Sequence, residues 1–482
     1  MIYHGTGKGA DIHQETDSMN TLASSPRADH ALGSVSEHQT ERDASNAADR
    51  ANAGAGLERQ RVIALRSSVV GTALEWYDFF LYGTAAAIVF NVLFFTKLDP
   101  MIGTLAAFGS YALGFVVRPL GGFVFGHIGD RIGRKNVLVI TLLMMGLSTT
   151  LIGFLPTYAS IGIAAPILLT LLRLIQGFAA GAEFGGAVTM SAEYAPVNKR
   201  GYYASWPGVG VALGVVLSAG VFTLVRQMPE ADFMNYGWRI PFILSSIGLA
   251  VGMYIRLYVL ESPAFEKIKS KKAVQKSPVS AVWKHHRRHL FIAIGARFSE
   301  NTAGYIFQVW ALSYLTAQLK IDASIGLVAV LIGAGLGALL NPFWGMLSDR
   351  IGRKPVYILG ILVMILGSWP FFMMLETRET SMIIAGFVMM IVFGLYPMFS
   401  VQAAFFAELF PPSVRMSGIC MARELSSVIT GGMAPVIATG LLAYYGGSYY
   451  PIIGYLVFMG GVALIALLMA PETRGVIYEE DA

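Results

Sequence analysis

The sequence predicts an all-α polytopic membrane protein: twelve transmembrane helices in two parallel six-helix repeats, with both termini cytoplasmic. Three observations predict it. Hydrophobic residues make up 55% of the 482 residues and charged ones only 13%, about half the charged share of ordinary soluble domains. The apolar residues fall into long runs, and a basic loop motif in the first half returns in the second. Charges are too sparse to coat water-soluble domains of this length, which excludes a soluble enzyme and a nucleic-acid-binding module. The single cysteine, Cys420, excludes an internal disulfide and a multi-cysteine metal site. Neither a metal nor a cofactor is expected.

Residues 1–60 stand apart. Five basic residues there face nine acidic ones, a local charge of −4, so the rest of a +5 chain carries +9. Rich in Ser, Ala, Asn and Gly, the segment cannot bury a core and is expected to be a disordered cytoplasmic tail. It has no apolar stretch of the kind that marks a secretory signal. Met19 is an alternative start.

From residue 62 onward, twelve apolar runs follow one another: 62–95, 101–125, 136–155, 161–192, 202–225, 239–260, 290–318, 323–347, 355–375, 381–406, 416–443 and 449–470. Each has the roughly 20 residues that cross a hydrocarbon layer of about 30 Å. Backbone groups in lipid must be satisfied within the segment, so these runs are helices. Period-two alternation is absent, which excludes a β-barrel. Seventeen Lys and Arg residues, from Arg131 to Arg415, lie in one set of connections, and five at most lie in the opposite set. The positive-inside rule places the richer set in the cytoplasm. The domains follow: an N-terminal bundle at 61–260, a basic cytoplasmic linker at 261–289, a C-terminal bundle at 290–470 and a tail at 471–482.

The chain repeats itself. Gly126-x-x-x-Asp130-Arg131-x-Gly133-Arg134-Lys135 returns as Gly345-x-x-x-Asp349-Arg350-x-Gly352-Arg353-Lys354, 219 residues later. Glu193-x-x-Pro196-x-x-x-Arg200 returns as Glu408-x-x-Pro411-x-x-x-Arg415 at an offset of 215, and Glu261-Ser262-Pro263 is echoed by Pro471-Glu472-Thr473-Arg474. Three echoes in one order imply duplication of a six-helix unit. An even number of crossings per unit makes the copies parallel, with a central site at the midplane of their interface and access by rocking.

Two such loops in a 6+6 chain resemble the major facilitator superfamily over residues 62–475. Gly71-Thr-Ala-Leu-Glu75-Trp76-Tyr77-Asp78-Phe-Phe-Leu-Tyr82-Gly83 is similar to the first-helix signature of its metabolite:proton symporter branch. So are Arg118-Pro119-Leu-Gly-Gly122, Arg173-Leu-Ile-Gln176-Gly177, Gly237-Trp238-Arg239-Ile-Pro241-Phe242 and Glu261-Ser-Pro263. The first half most resembles shikimate-type carboxylate carriers, beside α-ketoglutarate-type relatives. The resemblance implies a monomeric proton symporter of a bacterial inner membrane that imports a small carboxylate by alternating access. Its partners would be that carboxylate, protons and the lipid bilayer, with no nucleic acid and no ATP. Relatives in the branch also carry zwitterionic osmolytes, which makes osmolyte uptake the first alternative. As the sequence ends soon after Arg474, the long C-terminal coiled coil of an osmotic sensor is not expected. Drug/proton antiport and a non-transporting sensor are further alternatives; no Gly-Pro dipeptide of the antiporter kind occurs.

Within the runs, a few charged residues carry the functional expectation. Glu75 and Asp78, spaced i,i+3, share one face of the first helix. A carboxylate at mid-membrane is costly and marks a functional position. Glu75, Asp78, Arg173 and Glu183 form the proton-coupling set, with Arg173 a fixed charge; in the family, the helix-4 arginine before Gln-Gly is associated with coupling. The alternative for Asp78 and Arg173 is a structural ion pair. Arg118, Gln176, Tyr82, Asn301, Tyr305, Gln308, Tyr396 and Gln402 form the substrate-contact set, although Arg118 also fits a snorkelling arginine. Arg297 and Glu300 are expected to neutralise each other, and Arg423 and Glu424 to pair in a gate. Asp130, Arg131, Arg134, Asp349, Arg350 and Arg353, with Glu193, Arg200, Glu408 and Arg415, form a latch that shuts the cytoplasmic side. There Asp meets a helix N-terminus or an arginine across the interface.

Overall fold

A computed structural model describes residues 26–96, 100–271, 274–431 and 433–478. It divides into two compact units, Met1–Arg59 and Gln60–Ala482. Of the expected disordered tail, residues 1–25 lie outside the described residues. Residues from Pro26 on are helical, within a helix recorded over Pro26–Ala85. This differs from the expected disorder. Ala, Glu, Gln and Arg favour helix through local propensity, which requires no apolar face.

The described residues contain no strand. The helices are α1 (Pro26–Ala85, prolonged by a π-helical turn Ala86–Phe90), α2 (Pro100–Ile132), α3 (Arg134–Phe154), α4 (Ala164–Tyr194), α5 (Arg200–Arg226) and α6 (Arg239–Tyr258). The second series comprises α7 (Arg287–Tyr305, then π-helical Ile306–Trp310), α8 (Ala323–Ile351) and α9 (Arg353–Glu376). It continues with α10 (Thr380–Val388, π-helical Met389–Leu395, Tyr396–Leu409), α11 (Arg415–Thr430 and, past a turn, Met433–Tyr444) and α12 (Tyr450–Met469). Two short helices, Pro263–Ser270 and Pro278–His285, lie between the series.

Among the described residues, ten helices are long and apolar enough to cross a membrane. The helices α1 and α7 are not among them. Both carry buried charges, Glu75 and Asp78 in one and Arg297 and Glu300 in the other.

The molecule is apolar on the outside as well as the inside. Leu339 is 77% exposed, Leu366 71% and Val116 68%, a surface suited to hydrocarbon. Inside, α2 packs against α4 by backbone approach at Gly121, Gly177 and Gly181, where a Cβ would collide with the facing helix. At the loops joining α2 to α3 and α8 to α9, Gly133 and Gly352 adopt φ of 113° and 108°. That conformation requires glycine.

Candidate functional site

Five predicted residues gather around one small cavity inside the first series. Glu75 and Asp78 of α1, Arg118 of α2, and Arg173 and Gln176 of α4 line it together with Phe79, Gly114 and Met145. Its volume is about 10 Å³, enough for roughly one water molecule. Asp78 accepts a hydrogen bond from Ser245 Oγ of α6 at 2.8 Å. It forms no ion pair with Arg173, so the structural-pair alternative is not the arrangement present.

Arg173 sits in an aromatic cage. Its guanidinium carbon lies 4.5 Å from the Tyr82 ring centre, 4.6 Å from Tyr111 and 5.2 Å from Phe79, cation–π distances. Its Nη1 donates to Gln176 Oε1, and Gln176 in turn donates to Thr149 Oγ1 at 2.7 Å. Gly114 makes room: a Cβ there would lie 2.6 Å from Arg173 Nε. Tyr82 therefore belongs to the cage, its hydroxyl at 2.8 Å from Ser110 Oγ.

Arg118, its side chain 12% exposed, is turned inward rather than snorkelling. Its Nη2 donates to Glu75 Oε1 at 2.9 Å and its Nε lies 3.4 Å from Glu424 Oε2 of α11. Glu75 Oε2 and Arg173 Nε are buried without a hydrogen-bond partner. Glu183 is engaged elsewhere: both carboxylate oxygens are taken by Arg256 of α6, and Thr141 Oγ1 donates at 2.8 Å.

The predicted contacts from the second series do not reach this cavity. Gln402 donates to Glu300 Oε2 at 3.2 Å, and Arg297 lies 3.3 Å from that carboxylate, so Arg297 and Glu300 do pair. Asn301 donates to Thr430 Oγ1 at 2.9 Å and the Tyr396 hydroxyl to Ala334 O at 3.2 Å. Tyr305 and Gln308 are half-buried on α7. Arg423 does not pair with its neighbour Glu424; its guanidinium stacks 3.7 Å over Phe184 of α4.

At one end of the molecule the two series are latched together twice. Asp130 accepts from the Ser417 and Met416 backbone N–H at 2.8 and 3.2 Å, at the start of α11. Asp349 accepts from Gly201 and Tyr202 N–H at 2.8 and 2.9 Å, at the start of α5. Each aspartate thus meets the positive N-terminal end of a helix from the other series. Behind them, Arg134 pairs with Asp130 and Glu193 at 3.3 Å, and Arg353 with Asp349 and Glu408 at 2.7 Å. Arg415 crosses to Glu193 at 3.1 Å, and Arg200 donates to Val476 O at 2.8 Å. Arg131 and Arg350 are exposed, in contrast to the buried Arg134 and Arg353. Glu261 and Glu472 cap the starts of α3 and α9 through the Arg134, Lys135, Arg353 and Lys354 N–H groups. Burial pushes the Glu261 carboxyl up, against the pull of those N–H donors.

Sequence reasoning missed Arg256, the partner of Glu183, although an arginine inside the 239–260 run is itself a signal. It also missed Tyr111, Thr141, Thr149 and Ser245. These are small or aromatic residues that in isolation look like ordinary packing.

Two latched helical series, an apolar outer face and a charged internal cavity define a membrane transport protein. Sequence comparison agrees: residues 64–277 and 264–481 match the family described as sugar (and other) transporter. The chain belongs to that family, in the metabolite:proton symporter branch of the major facilitator superfamily. It is a multi-pass transporter of a bacterial inner membrane and not an enzyme. It is 40% identical to the shikimate transporter of Escherichia coli (strain K12) over 424 residues, covering 87% of this chain and 96% of the relative. A glycine betaine/proline/ectoine/pipecolic acid transporter of Dickeya dadantii (strain 3937) is 36% identical, with 85% and 83% covered. Among solved structures, the proton:xylose symporter bound to 6-bromo-6-deoxy-D-glucose superposes with a TM-score of 0.73 at 17% identity. That match covers 88% of this chain and 98% of the symporter.

Proposed function

We propose that the protein imports a small carboxylate, shikimate-like, together with protons, by alternating access between α1–α6 and α7–α12. All twelve helices then span the bilayer, with both termini and the latch loops in the cytoplasm. The carrying observation is the gathering of two carboxylates and two arginines, Glu75, Asp78, Arg118 and Arg173, on one buried cavity. Arg118 offers a guanidinium that fits a carboxylate in bidentate fashion. Arg173, held in its cage, acts as a fixed charge near Asp78. Among Glu75, Asp78 and Glu183, Asp78 is the first choice for the coupled proton, because protonating it breaks no salt bridge. A cavity of about 10 Å³ admits an organic acid only as the helices part, which fits a site formed and unmade during the cycle. The functional unit is a monomer.

The potential across an energised membrane, near 150 mV, supplies roughly 3.5 kcal/mol per elementary charge. An anion imported with one proton is electroneutral and draws on the pH gradient alone, so stoichiometry decides how much of this is used. The betaine and proline relative supports a second reading, uptake of a zwitterionic osmolyte.

The test is uptake of labelled shikimate, α-ketoglutarate, citrate, protocatechuate and glycine betaine in cells without endogenous carriers, with and without an uncoupler. Accumulation of a carboxylic acid that collapses with the proton gradient supports the proposal. Accumulation that survives the uncoupler sinks the symport claim, and accumulation of betaine alone selects the second reading.

A further inference from the structure

Arg118 is one point where the two series meet. Its own series supplies Glu75 Oε1 at 2.9 Å and Ala180 O at 3.4 Å, while α11 of the other series supplies Glu424 Oε2 at 3.4 Å. Glu75 and Glu424 are each 3% exposed. The contact lies at the inner end of a continuous seam between α2 and α11. At the outer end Asp130 holds the start of α11. Between them a Cβ at Gly126 would lie 3.1 Å from Ser417 Cα and 3.4 Å from Cys420 Cβ. One at Gly122 would lie 3.1 Å from Glu424 Cγ and 3.6 Å from Cys420 Cβ. Arg118 and Asp130 are twelve residues, or about 18 Å, apart along α2.

The second seam, between α8 and α5, repeats the outer end but not the inner one. Asp349 holds the start of α5 as Asp130 holds α11. The repeat offsets of 219 and 215 place Gly337 and Val209 where the first seam has Arg118 and Glu424. The outer contacts are thus duplicated machinery, whereas the inner ion pair is present on one seam alone. That asymmetry associates it with the ligand rather than with the common latch. The pair also lies at the cavity, because Arg118 and its partner Glu75 both line it.

We propose that Glu424 is a tethered stand-in for the ligand: it occupies Arg118 until a ligand carboxylate takes its place, and the exchange frees α11 from α2. The step breaks the Arg118 Nε–Glu424 contact and makes one from Arg118 to a ligand oxygen. One anion replaces another at the same cation, so the guanidinium is paired throughout. Without a ligand the seam stays shut at its inner end, and an empty carrier does not open toward the latch side. The inference rests on the proposed transport of a ligand bearing a carboxylate, a group that anionic acids and zwitterionic osmolytes share.

Cys420, the only cysteine in the chain and one turn from Glu424, lies inside this seam. It is a native reporter of seam opening. Labelling by N-ethylmaleimide in membrane vesicles is to be timed for the wild type and Glu424→Gln, with Cys420→Ser as the blank. Each is measured alone and with shikimate, glycine betaine or xylose. The expected results are labelling about tenfold faster in Glu424→Gln without ligand, a change of the size close charge pairs support. A carboxylate-bearing ligand should accelerate the wild type and leave Glu424→Gln unchanged. Glu424→Asp, one methylene shorter, should fall between the two, and serves as the test should the glutamine variant not reach the membrane. Wild-type labelling rates in both variants overturn the proposal, as does acceleration by neutral xylose alone. Acceleration by betaine but not shikimate leaves the tether standing and removes the carboxylic-acid reading of the function.

Discussion

Arg256 of α6 engages both carboxylate oxygens of Glu183 on α4, and the pair is packed against Gly71 of α1. Both side chains are almost fully buried, so each charge depends on the other. Replacing Arg256 with Met strands a buried carboxylate, a loss of about 3–5 kcal/mol. The expected outcome is a sharp fall in folded protein, read as the monodisperse fraction in detergent. Adding Glu183→Leu removes the second charge and should recover much of that fraction. No recovery in the double variant would mean that the pair is not what holds these helices together.

Asp78 differs because it makes no ion pair and accepts from Ser245 Oγ. Asp78→Asn keeps the shape and removes the ionisable group. Wild-type uptake should fall as external pH rises, since protons are a co-substrate. In Asp78→Asn, net accumulation should be lost while exchange of labelled for unlabelled substrate persists. That split separates a coupling residue from a substrate contact, whose loss would lower both. Unchanged, pH-dependent accumulation in the variant would remove Asp78 from the coupling set.

The helical class was legible because hydropathy reports it directly. Asp130 and Asp349 meeting helix N-termini was legible too, since a loop repeated in both halves carries a repeated task. The site was legible only in part. Glu75, Asp78, Arg118, Arg173 and Gln176 stand out as charges or amides in apolar runs, and the structure gathers them. Their partners do not stand out: Ser245, Thr149 and Tyr111 acquire meaning only from which helix faces which. Asn301, Tyr396 and Gln402 have the same sequence signature as a ligand contact, yet they donate to Thr430, Ala334 and Glu300 within the second series. Polarity in a run marks the inside of a bundle, and packing decides what it faces.

The two latch aspartates each accept two backbone N–H groups, the work of a helix cap. Losing such a cap costs about 1 kcal/mol, enough to shift a balanced conformational equilibrium about fivefold. Asp130→Ala, which leaves no acceptor for those N–H groups, should speed labelling of Cys420 by about that factor. Asp349→Ala should do the same for a cysteine placed at Ser205, in a Cys420→Ser background. Equal effects on both seams would match the equal geometry of the two contacts. A silent Asp349 variant would show that the repeated motif does not have a repeated task.

Closure of the second seam depends on Gly345, where α8 meets α5. A Cβ there would lie 2.9 Å from Gly201 C and 3.0 Å from Ser205 Cβ, so backbone has to move. Alanine at 345 favours the helix itself by about 1 kcal/mol, which protects folding and insertion. The substitution therefore separates stability from closure. Gly345→Ala should insert normally, label faster at a cysteine placed at Ser205, and lose both concentrative uptake and exchange, since each requires the latch side to close. Gly335, on the same helix with nothing within 4 Å of a Cβ, provides the control: Gly335→Ala should leave labelling and uptake at wild-type levels. If both alanine variants behave alike, the close approach of α8 to α5 is not what shuts the latch side.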